Sequence, residues 1–351
     1  MPTSSVARAV AVTGAAGFIG TRLVPALAAA GVPRIVGLDM RDPVRTVAGY
    51  EHHLVDVAGR ELDALLRGCD TVVHLAAVTD PIVDDTLMAR VNVEGTRRVL
   101  DAAAAVGVRR IVRVSTAAVY GAWATNPVPL TEDAPLRPNP GFGPAVHAAE
   151  VERLLHEWGI EHPDATITIL RAAPVLGAGA EHLFARLLAG WRRPRVRGEG
   201  APVQVVHVED LVDALVRTVT AEHPGVFDVA APGWVGSDEA RTLLTRGALP
   251  AAPLDVVRRV LARSWRAGIG DVPPSVLPYL VQPWVIATDR LEAIGWQPGH
   301  TNEETLLETH DALGADAIPT RKIAVAAAGA VVLGAVAGYA VRRSVRAVRR
   351  A

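Results

Sequence analysis

A glycine-rich turn near the amino terminus carries the clearest chemical signal in the sequence. Three glycines recur at three-residue spacing, Gly14, Gly17 and Gly20, between an apolar β-branched run and an Ala/Leu-rich stretch. In a strand–turn–helix unit, such glycines permit a tight turn, close approach of backbone N–H groups to a pyrophosphate, and close helix–strand packing. The helix amino terminus adds partial positive charge. We therefore predict a dinucleotide site, with Phe18 and Ile19 completing the turn.

An acidic residue follows the turn at the spacing that a ribose contact requires. Asp39 ends the second apolar run, nineteen residues after Gly20. A carboxylate here accepts hydrogen bonds from the adenosine ribose and repels a 2′-phosphate, which favours NAD over NADP. Arg41 opposes this preference because a guanidinium attracts phosphate. The alternative interpretation of Asp39 is a solvated acid at the end of a strand.

The elements that would position these residues alternate along the chain. Apolar β-branched runs alternate with helical stretches, which is typical of a parallel sheet built from strand–helix–strand units. The predicted strands are 8–12, 34–38, 53–55, 71–75, 110–115 and 166–170. The predicted helices are 18–30, 60–66, 91–106 and 150–158. We therefore predict an α/β fold with a Rossmann-type, doubly wound parallel sheet.

After residue 171 the sequence becomes irregular and rich in Pro and Gly. It predicts strands at 198–206 and 225–229, a helix at 208–220, and a helical region at 254–267 before a Pro-rich stretch. We assign a Rossmann domain to 1–171 with return segments at about 203–231, and a small substrate lobe to 172–202 and 232–318. A hydrophobic helix at 322–341 and a basic tail at 342–351 follow.

Five segments, in this order, resemble the extended short-chain dehydrogenase/reductase family, which includes nucleotide-sugar epimerases and dehydratases. They read GAAGFIG at 14–20, HLAA at 74–77, NVEGT at 92–96, STAAVYG at 115–121 and HVEDL at 207–211. The resemblance implies that Asp56 lies beside the adenine with the adjacent Val57, and that Asn92 supports the site. It also implies that three consecutive residues line the dinucleotide groove: Leu75, Ala76 and Ala77.

The Tyr-x-x-x-Lys motif of this family is missing. A nearby cation lowers the pKa of a tyrosine from its ordinary value near 10 towards neutrality, which suits general acid–base catalysis. By the resemblance, Pro144 stands at the tyrosine position and Ala148 at the lysine position. The only lysine in the chain is Lys322, and three of the four tyrosines lie in other regions of the sequence: Tyr50, Tyr279 and Tyr339. The sequence therefore predicts a degenerate catalytic site.

Two residues remain as candidates for chemistry. Thr116 occupies the family's Ser/Thr position and is interpreted as a remnant of the site. His147 has a side chain suited to acid–base catalysis, but it precedes the lysine position by one residue, about 100° around a helix. A surface or capping histidine is the alternative. Tyr120 is assigned to packing.

The positions that would face a substrate are atypical as well. Ala117 and Ala118 stand where sugar dehydratases carry an acidic pair, which disfavours dehydration. Pro174 stands where nucleotide-sugar members carry Asn, which weakens the case for a sugar nucleotide. The substrate left open is an apolar alcohol or a nucleotide sugar, and no metal centre is predicted.

Composition restricts the partners and the compartment. The chain has 351 residues and a formal net charge of −1, which gives no indication of a nucleic-acid partner. A single cysteine, Cys69, excludes an intrachain disulfide framework and fits a reducing cytoplasm. By resemblance, a homodimer through two helices of the Rossmann half is a further expectation.

The carboxyl terminus differs from the rest of the chain. Residues 323–341 include no charged side chain, and residues 321–351 hold seven basic groups and no acid. A helix of nineteen residues roughly matches a hydrocarbon core of about 30 Å. We predict a membrane anchor for an otherwise cytoplasmic domain. A buried terminal helix is the alternative.

Three hypotheses for function follow. The first is a catalytically degenerate NAD-binding protein that acts as a sensor or scaffold at a membrane. The second is an active NAD-dependent oxidoreductase or epimerase with displaced acid–base groups, for which His147 is the candidate. The third is a membrane-associated structural protein that has lost the nucleotide.

Overall fold

The computed structural model describes residues 7–59, 62–189, 196–198, 200–244 and 251–315. The strands are β1 (Ala9–Thr13), β2 (Arg34–Asp39), β3 (Tyr50–Leu54), β4 (Thr71–His74), β5 (Arg110–Thr116), β6 (Thr166–Ala172), β7 (Val175–Leu176), β8 (Val206–His207) and β9 (Gly225–Val229). The α-helices are α1 (Gly20–Ala29), α2 (Leu62–Leu66), α3 (Asp85–Ala89), α4 (Gly95–Val106), α5 (Gly143–Glu161), α6 (Leu183–Leu188), α7 (Val208–Thr220), α8 (Ser237–Leu244), α9 (Leu254–Arg266), α10 (Leu277–Val281), α11 (Asp289–Glu292) and α12 (Asn302–Ala315).

A parallel sheet of seven strands, in the order β3-β2-β1-β4-β5-β6-β9, forms the centre of the described structure. The chain runs outward from β1 to β3, returns to β4 on the other side of β1, and continues to β5 and β6. The strand order therefore reverses between β1 and β4, and such a switch point forms a crevice at the carboxyl ends of the strands. The predicted Rossmann-type sheet is confirmed.

Both faces of the sheet are covered. All five residues of β1 are buried, and alternate residues of a strand point to opposite faces. Val10 and Val12 belong to an apolar cluster with α1 and α7, whereas Ala9 and Ala11 belong to a second cluster with α2, α4 and α5. Burial on both faces explains why the strands read as continuous apolar runs rather than as alternating patterns.

Two predicted elements differ from the structure. The helix predicted at 150–158 begins at Gly143 instead, because Pro144 occupies its first turn, where a missing N–H costs no hydrogen bond. The strand predicted at 198–206 is wrong for most of its length. Among its described residues only Val206 lies in a strand, and Val203 makes an isolated bridge to Val235. Pro202 explains part of this difference, since proline cannot donate to a ladder.

The last described element is α12. Among the described residues, no helix is both long enough and apolar enough to cross a membrane. The hydrophobic helix and basic tail predicted at 322–351 lie outside the described residues.

Candidate functional site

The glycine turn lies at the switch point, against the carboxyl end of β4. Gly14 has a φ of +72°, and a Cβ atom there would lie 2.9 Å from the Ala76 nitrogen. A Cβ atom on Gly20 would lie 2.3 Å from the Gly14 carbonyl oxygen, and one on Gly17 would lie 3.1 Å from the same oxygen. Side chains at 14 and 20 would collide with backbone, so these two glycines are required for the turn itself.

Helix α1 begins beside this turn. Its first turn has no acidic residue, and Ile19 at the N-cap makes no side-chain hydrogen bond to it. The N–H groups of Thr21 and Arg22 donate to the carbonyls of Gly17 and Ile19 at 3.0 and 3.1 Å, so it is the positive end of the helix dipole that is suited to an anion. The Phe18 carbonyl accepts a hydrogen bond from Arg22 at 2.9 Å, which braces the turn. These features fit the pyrophosphate of NAD.

Asp39, at the end of β2, holds the turn and the neighbouring Arg41. Its two carboxylate oxygens accept hydrogen bonds from the N–H groups of Ala16 and Arg41, each at 3.0 Å. The Arg41 guanidinium donates to the Ala16 carbonyl at 3.0 Å and lies 3.6 Å from Asp39. Because the Arg41 side chain is 68% exposed, it remains accessible to a ligand. The residue predicted to contact the ribose therefore also shapes the glycine turn.

Thr13 connects the ends of β1 and β4. Its hydroxyl oxygen accepts hydrogen bonds from the N–H groups of Leu75 and Ala76, at 3.2 and 3.1 Å. The hydroxyl hydrogen is then directed to Nδ1 of His74, 2.7 Å away. This arrangement fixes the first two residues of the predicted dinucleotide groove against the glycine turn.

The hydrogen bonds from Thr13 through His74 continue into α4, and we call this series of hydrogen bonds the relay. Since Nδ1 of His74 accepts from Thr13, its proton is on Nε2, which lies 2.9 Å from the Thr96 hydroxyl. Thr96 in turn donates to the Asn92 carbonyl at 2.6 Å. Burial, and to a lesser degree the charge of Arg113, holds the pKa of His74 well below its ordinary value. His74 is therefore a neutral structural residue and not an acid–base group.

The remaining predicted cofactor residues lie at the same edge of the sheet. The Asn92 side chain binds both backbone polar groups of Val78, at 2.7 and 3.0 Å, and so holds the segment after β4. Asp56 follows β3 and accepts a hydrogen bond from the Ala58 N–H at 2.9 Å. Val57 is buried in the apolar cluster of α2 and α4, and Ala77 is half-buried. The structure thus brings these residues together at the ends of β1 to β4.

A buried polar network lies behind the Val-Tyr-Gly loop. The Tyr120 hydroxyl donates to Asp228 at 2.9 Å and accepts from Arg171 at 2.7 Å. Arg171 also pairs with Glu152 of α5 at 2.7 Å, and Glu152 accepts a hydrogen bond from Ser115 at 2.5 Å. Tyr120 is therefore buried, as predicted, but as the centre of a network rather than as an apolar packing residue.

The carboxyl group of Asp228 in this network has a raised pKa. Burial, followed by the nearby charge of Glu132, raises its pKa to about 8. Glu132 accepts a hydrogen bond from the Asp228 N–H at 3.0 Å and lies 3.7 Å from Arg290. The network joins β5, β6, β9 and α5, and it fixes the start of α5 relative to the end of β5.

The predicted catalytic positions lie at the end of β5 and in the first turns of α5. Thr116 ends β5, and its hydroxyl accepts a hydrogen bond from the Ala118 N–H at 3.2 Å. Pro144 and Ala148 lie in the first turns of α5 and are half-buried. His147 faces α3 instead. Its Nε2 lies 3.6 Å from Asp85, and it lines a surface groove of about 880 Å³ between α3 and α5 to which Thr116 does not contribute.

Tyr279 lies near the site, contrary to the expectation from its position in the sequence. Its sequence position placed it far from the site, yet its hydroxyl donates to the Ala118 carbonyl at 3.0 Å. It belongs to a contiguous group of aromatic rings with Phe142, Phe184 and Trp284. Burial raises the pKa of Tyr279 further above its ordinary value, so this phenol is a poor proton donor. Tyr279 of the small lobe therefore lies beside Ala118, and its hydroxyl group is bound to the backbone there.

A small cavity lies beyond the end of β5, next to Ala117. Between Ala117, Pro174 and the aromatic group lies a cavity of about 10 Å³, roughly the space that one water molecule requires. Gln204, also in its wall, binds the Ile286 N–H at 2.8 Å and backbone carbonyls of the small lobe. Trp284 donates to the Tyr279 carbonyl at 3.0 Å. The polar side-chain atoms of this wall are therefore bound to main chain, and the surface left for a ligand is apolar.

The relay, the polar network and Tyr279 were not identified as site features from the sequence. A threonine directly before Gly14, and a histidine ending β4, were the available signals for the relay. Glu152 at regular helical spacing after Ala148 was the signal for the network. No sequence signal marked Tyr279, because the contact depends on how the small lobe packs on the sheet.

The fold and the glycine turn define a Rossmann-type dinucleotide-binding protein, and comparison with known proteins gives its family. The model of the NAD dependent epimerase/dehydratase family matches residues 10–230. The chain is 32% identical over 324 residues to a 3-diazoavenalumate denitrifying reductase of a Streptomyces species, covering 83% of this chain and 96% of that protein. It is 32% identical over 260 residues to dTDP-glucose 4,6-dehydratase of Streptomyces griseus, covering 68% and 77%.

The structure agrees with the family model. UDP-glucose 4-epimerase of Thermus thermophilus, solved in complex with NAD, superposes with a TM-score of 0.68 at 24% identity and covers 88% of this chain and 100% of that one. At this identity the likeness shows the fold. The chain belongs to the NAD dependent epimerase/dehydratase family, which confirms the predicted resemblance and the predicted cofactor.

Proposed function

We propose that this chain binds NAD(H) without catalysing the proton-coupled epimerase or dehydratase reactions of its family, and that it acts as a sensor or scaffold. The observation that carries the proposal is the sequence at the start of α5, where the family resemblance aligns Pro144 and Ala148 with the catalytic phenol and ammonium. Neither a prolyl ring nor a methyl group can transfer a proton. The relatives named above as a dehydratase and a reductase are enzymes, so the proposal rests on this chain's own residues.

The other titratable groups near the site support this reading. Tyr279 is buried and gives its hydroxyl hydrogen to the Ala118 carbonyl. His147 lies against Asp85, in the groove between α3 and α5. His74 is buried and neutral. Tyr279 and His74 are thus held by hydrogen bonds within the described residues, and His147 lies outside the surroundings of Thr116.

A calorimetric titration with NADH, followed by turnover assays with retained cofactor, tests the proposal. We expect wild type to bind NADH and to yield no epimerised product from UDP-glucose and no dehydrated product from dTDP-glucose. Robust turnover of either substrate would overturn the proposal. Absence of NADH binding would instead favour a structural protein that kept the fold and lost the nucleotide.

One similarity favours a second candidate function, a reduction in which the protein supplies no proton. NADH, when bound, supplies hydride. The relative that this chain covers to 96% is named for the reductive denitrification of a diazo compound. When hydride replaces dinitrogen on an aryl diazonium carbon, the C–N bond breaks, N2 leaves and the positive charge is neutralised. No proton enters this balance, so the reaction does not need a Tyr–Lys pair.

The aromatic side chains of Tyr279 and Trp284 support this second candidate, because aromatic rings attract cations. The test is consumption of NADH and release of N2 with an aryl diazonium carboxylate, measured for wild type and for Gly17→Val. A rate equal in both proteins is background chemistry and rejects the candidate. A rate that only wild type supports would establish it and reject the sensor assignment.

We further propose that the described domain lies in the cytoplasm and that residues 323–341 attach the chain to a membrane. A homodimer is also part of this proposal. The absence of charge over nineteen residues supports the attachment, and the single cysteine supports the compartment.

A further inference from the structure

Arg41 places a positive charge beside the glycine turn, at the end of the site where the adenosine ribose is predicted to bind. Its side chain is 68% exposed, whereas that of the neighbouring Asp39 is only 9% exposed. A Cβ atom on Gly17 would lie 3.8 Å from Nη2 of Arg41, so the guanidinium lies next to the predicted path of the dinucleotide. The more accessible charge beside the turn is therefore the positive one.

The backbone of Arg41 is held on both sides. Its N–H donates to Asp39 at 3.0 Å, and its carbonyl oxygen lies 2.8 Å from Nε2 of His52. Because a carbonyl only accepts, Nε2 carries a proton, and in the neutral ring Nδ1 accepts from the Tyr50 hydroxyl at 2.7 Å. Tyr50 lies over Gly37 of β2, where a Cβ atom would be 2.2 Å from its hydroxyl oxygen. Strands β2 and β3 thus fix the point from which the guanidinium extends.

The guanidinium and the carboxylate both keep capacity for a ligand. A guanidinium has five N–H groups, and Arg41 uses one of them for the Ala16 carbonyl at 3.0 Å. Its Nε lies 3.6 Å from Asp39, which is beyond hydrogen-bond distance. Each oxygen of Asp39 accepts one backbone N–H, so acceptor sites remain for a ribose hydroxyl. A planar fork of N–H groups matches two oxygens of a phosphate.

The charges of this loop do not oppose a phosphate. An isolated carboxylate at the end of the second strand repels a 2′-phosphate, but the Arg41 guanidinium near Asp39 offsets that charge. Residues 39–45 contain two acids, Asp39 and Asp42, and two arginines, Arg41 and Arg45. Arg45 is exposed as well. The loop therefore has no net negative charge.

We propose that Arg41 binds the 2′-phosphate of NADP(H), so that the chain accepts both nicotinamide dinucleotides. The proposal rests on the proposed binding of NAD(H) and adds a second cofactor to the same site. Asp39 accepts a ribose hydroxyl in either case. Stacking of the guanidinium on the adenine is the other contact that this position allows, but adenine occurs in both cofactors, so stacking alone would not distinguish them.

Calorimetric titrations of the full-length protein with NADH and with NADPH test the proposal. Wild type should bind both. Arg41→Gln should lower the affinity for NADPH on the order of tenfold to a hundredfold, as expected for loss of a hydrogen bond between charged groups, and should lower the affinity for NADH much less. Glutamine keeps a donor for the Ala16 carbonyl, and thermal unfolding checks the fold. Adenosine 2′,5′-bisphosphate and adenosine 5′-monophosphate provide the same comparison without the nicotinamide.

Two further variants provide the comparison. Arg98→Gln removes the same charge at an exposed position of α4 and should leave both affinities unchanged. Arg41→Lys keeps the charge without the fork and should retain part of the NADPH affinity. Wild type that binds NADH but not NADPH, or an equal loss of both affinities in Arg41→Gln, would overturn this proposal and leave the proposed binding of NAD(H) intact. Wild type that binds neither dinucleotide would overturn both.

Discussion

Asp39, which we predict to contact the ribose, also holds the glycine turn. Its carboxylate accepts N–H groups from Ala16 and Arg41, so the glycine turn is shaped before any nucleotide binds. The turn itself depends on Gly14 and Gly20, where a Cβ atom would strike backbone. Gly17 differs because its substitution needs only small adjustment of the turn, and its effect should therefore appear in binding.

We expect Gly17→Val to abolish NADH binding while the protein stays folded. A Cβ atom at this position lies 3.1 Å from the Gly14 carbonyl oxygen, so the substitution requires a shift of only a few tenths of an ångström in the turn. The added side chain occupies the approach of the pyrophosphate. Calorimetric titration measures the loss, and thermal unfolding checks the fold. Gly236→Val, where a Cβ atom would meet nothing closer than 3.9 Å, is the control. Equal NADH affinity of wild type and Gly17→Val would contradict the assignment.

Asp228 should make stability depend on pH. Its pKa is raised from 3.8 to about 8, so the folded state keeps a proton that the unfolded state releases. This contribution is fully present below about pH 4 and is lost as pH rises towards 8, at up to about 1.4 kcal/mol per pH unit.

Asp228→Asn removes this titration and keeps an acceptor for the Tyr120 hydroxyl. Relative to wild type, the free energy of unfolding of the variant should therefore increase steadily between pH 4.5 and 8. Urea unfolding at several pH values measures the difference, in which the contributions of all other groups cancel. A difference that is constant with pH would show that Asp228 is ionised throughout this range.

At the scale of elements, the proposal about chemistry depends on the first turns of α5. Glu152 pairs with Arg171 and Ser115, so the helix has a fixed position on the sheet. We propose that Pro144 and Ala148 occupy the family's catalytic positions on this helix. Placing tyrosine and lysine at positions 144 and 148 tests this assignment.

We expect Pro144→Tyr with Ala148→Lys to restore at most slow turnover. General acid–base catalysis contributes about 10²–10⁴-fold, but the two substitutions do not rebuild the substrate contacts, and Pro174 is unchanged. Assays with retained cofactor on UDP-glucose and on apolar secondary alcohols measure the gain. Pro144→Phe with Ala148→Met matches the bulk without the acid and the cation. Robust wild-type turnover that His147→Ala eliminates would promote the displaced-base hypothesis.

At the scale of the whole molecule, the sheet places the predicted cofactor residues at one edge, and the small lobe packs against the end of β5. Tyr279 donates to the Ala118 carbonyl, and Trp284 and Gln204 line the adjoining cavity. For the carboxyl-terminal segment, residues 323–341, we predict a separate role as a membrane anchor.

Ending the chain after Pro319 should move the protein from the membrane fraction to the soluble fraction. The full-length chain should require detergent, because residues 323–341 carry no charge. Five arginines follow this segment and only two basic residues directly precede it, so the positive-inside bias would keep the tail cytoplasmic as well. Fractionation of both forms measures the effect. Full-length protein that is soluble without detergent would show that the anchor is absent.

The sequence alone determined the sheet, the glycine turn and the cofactor. These features depend on local patterns, namely continuous apolar strands, three spaced glycines, and an acid at the end of β2. Family order then located Thr116, Pro144 and Ala148 without coordinates. Each of these inferences needs only residues that are close in the chain or that recur at a regular spacing.

Only the tertiary structure decided what surrounds these residues. Tyr279 lies 161 positions from Ala118 in sequence, and Tyr120 lies 108 positions from Asp228, so no local pattern indicates either contact. His147 was a candidate because of its acid–base chemistry, but the helix turns it towards Asp85. The volume of the small cavity beside Tyr279 likewise depends on packing between the lobes, because side chains from distant segments of the chain form its wall.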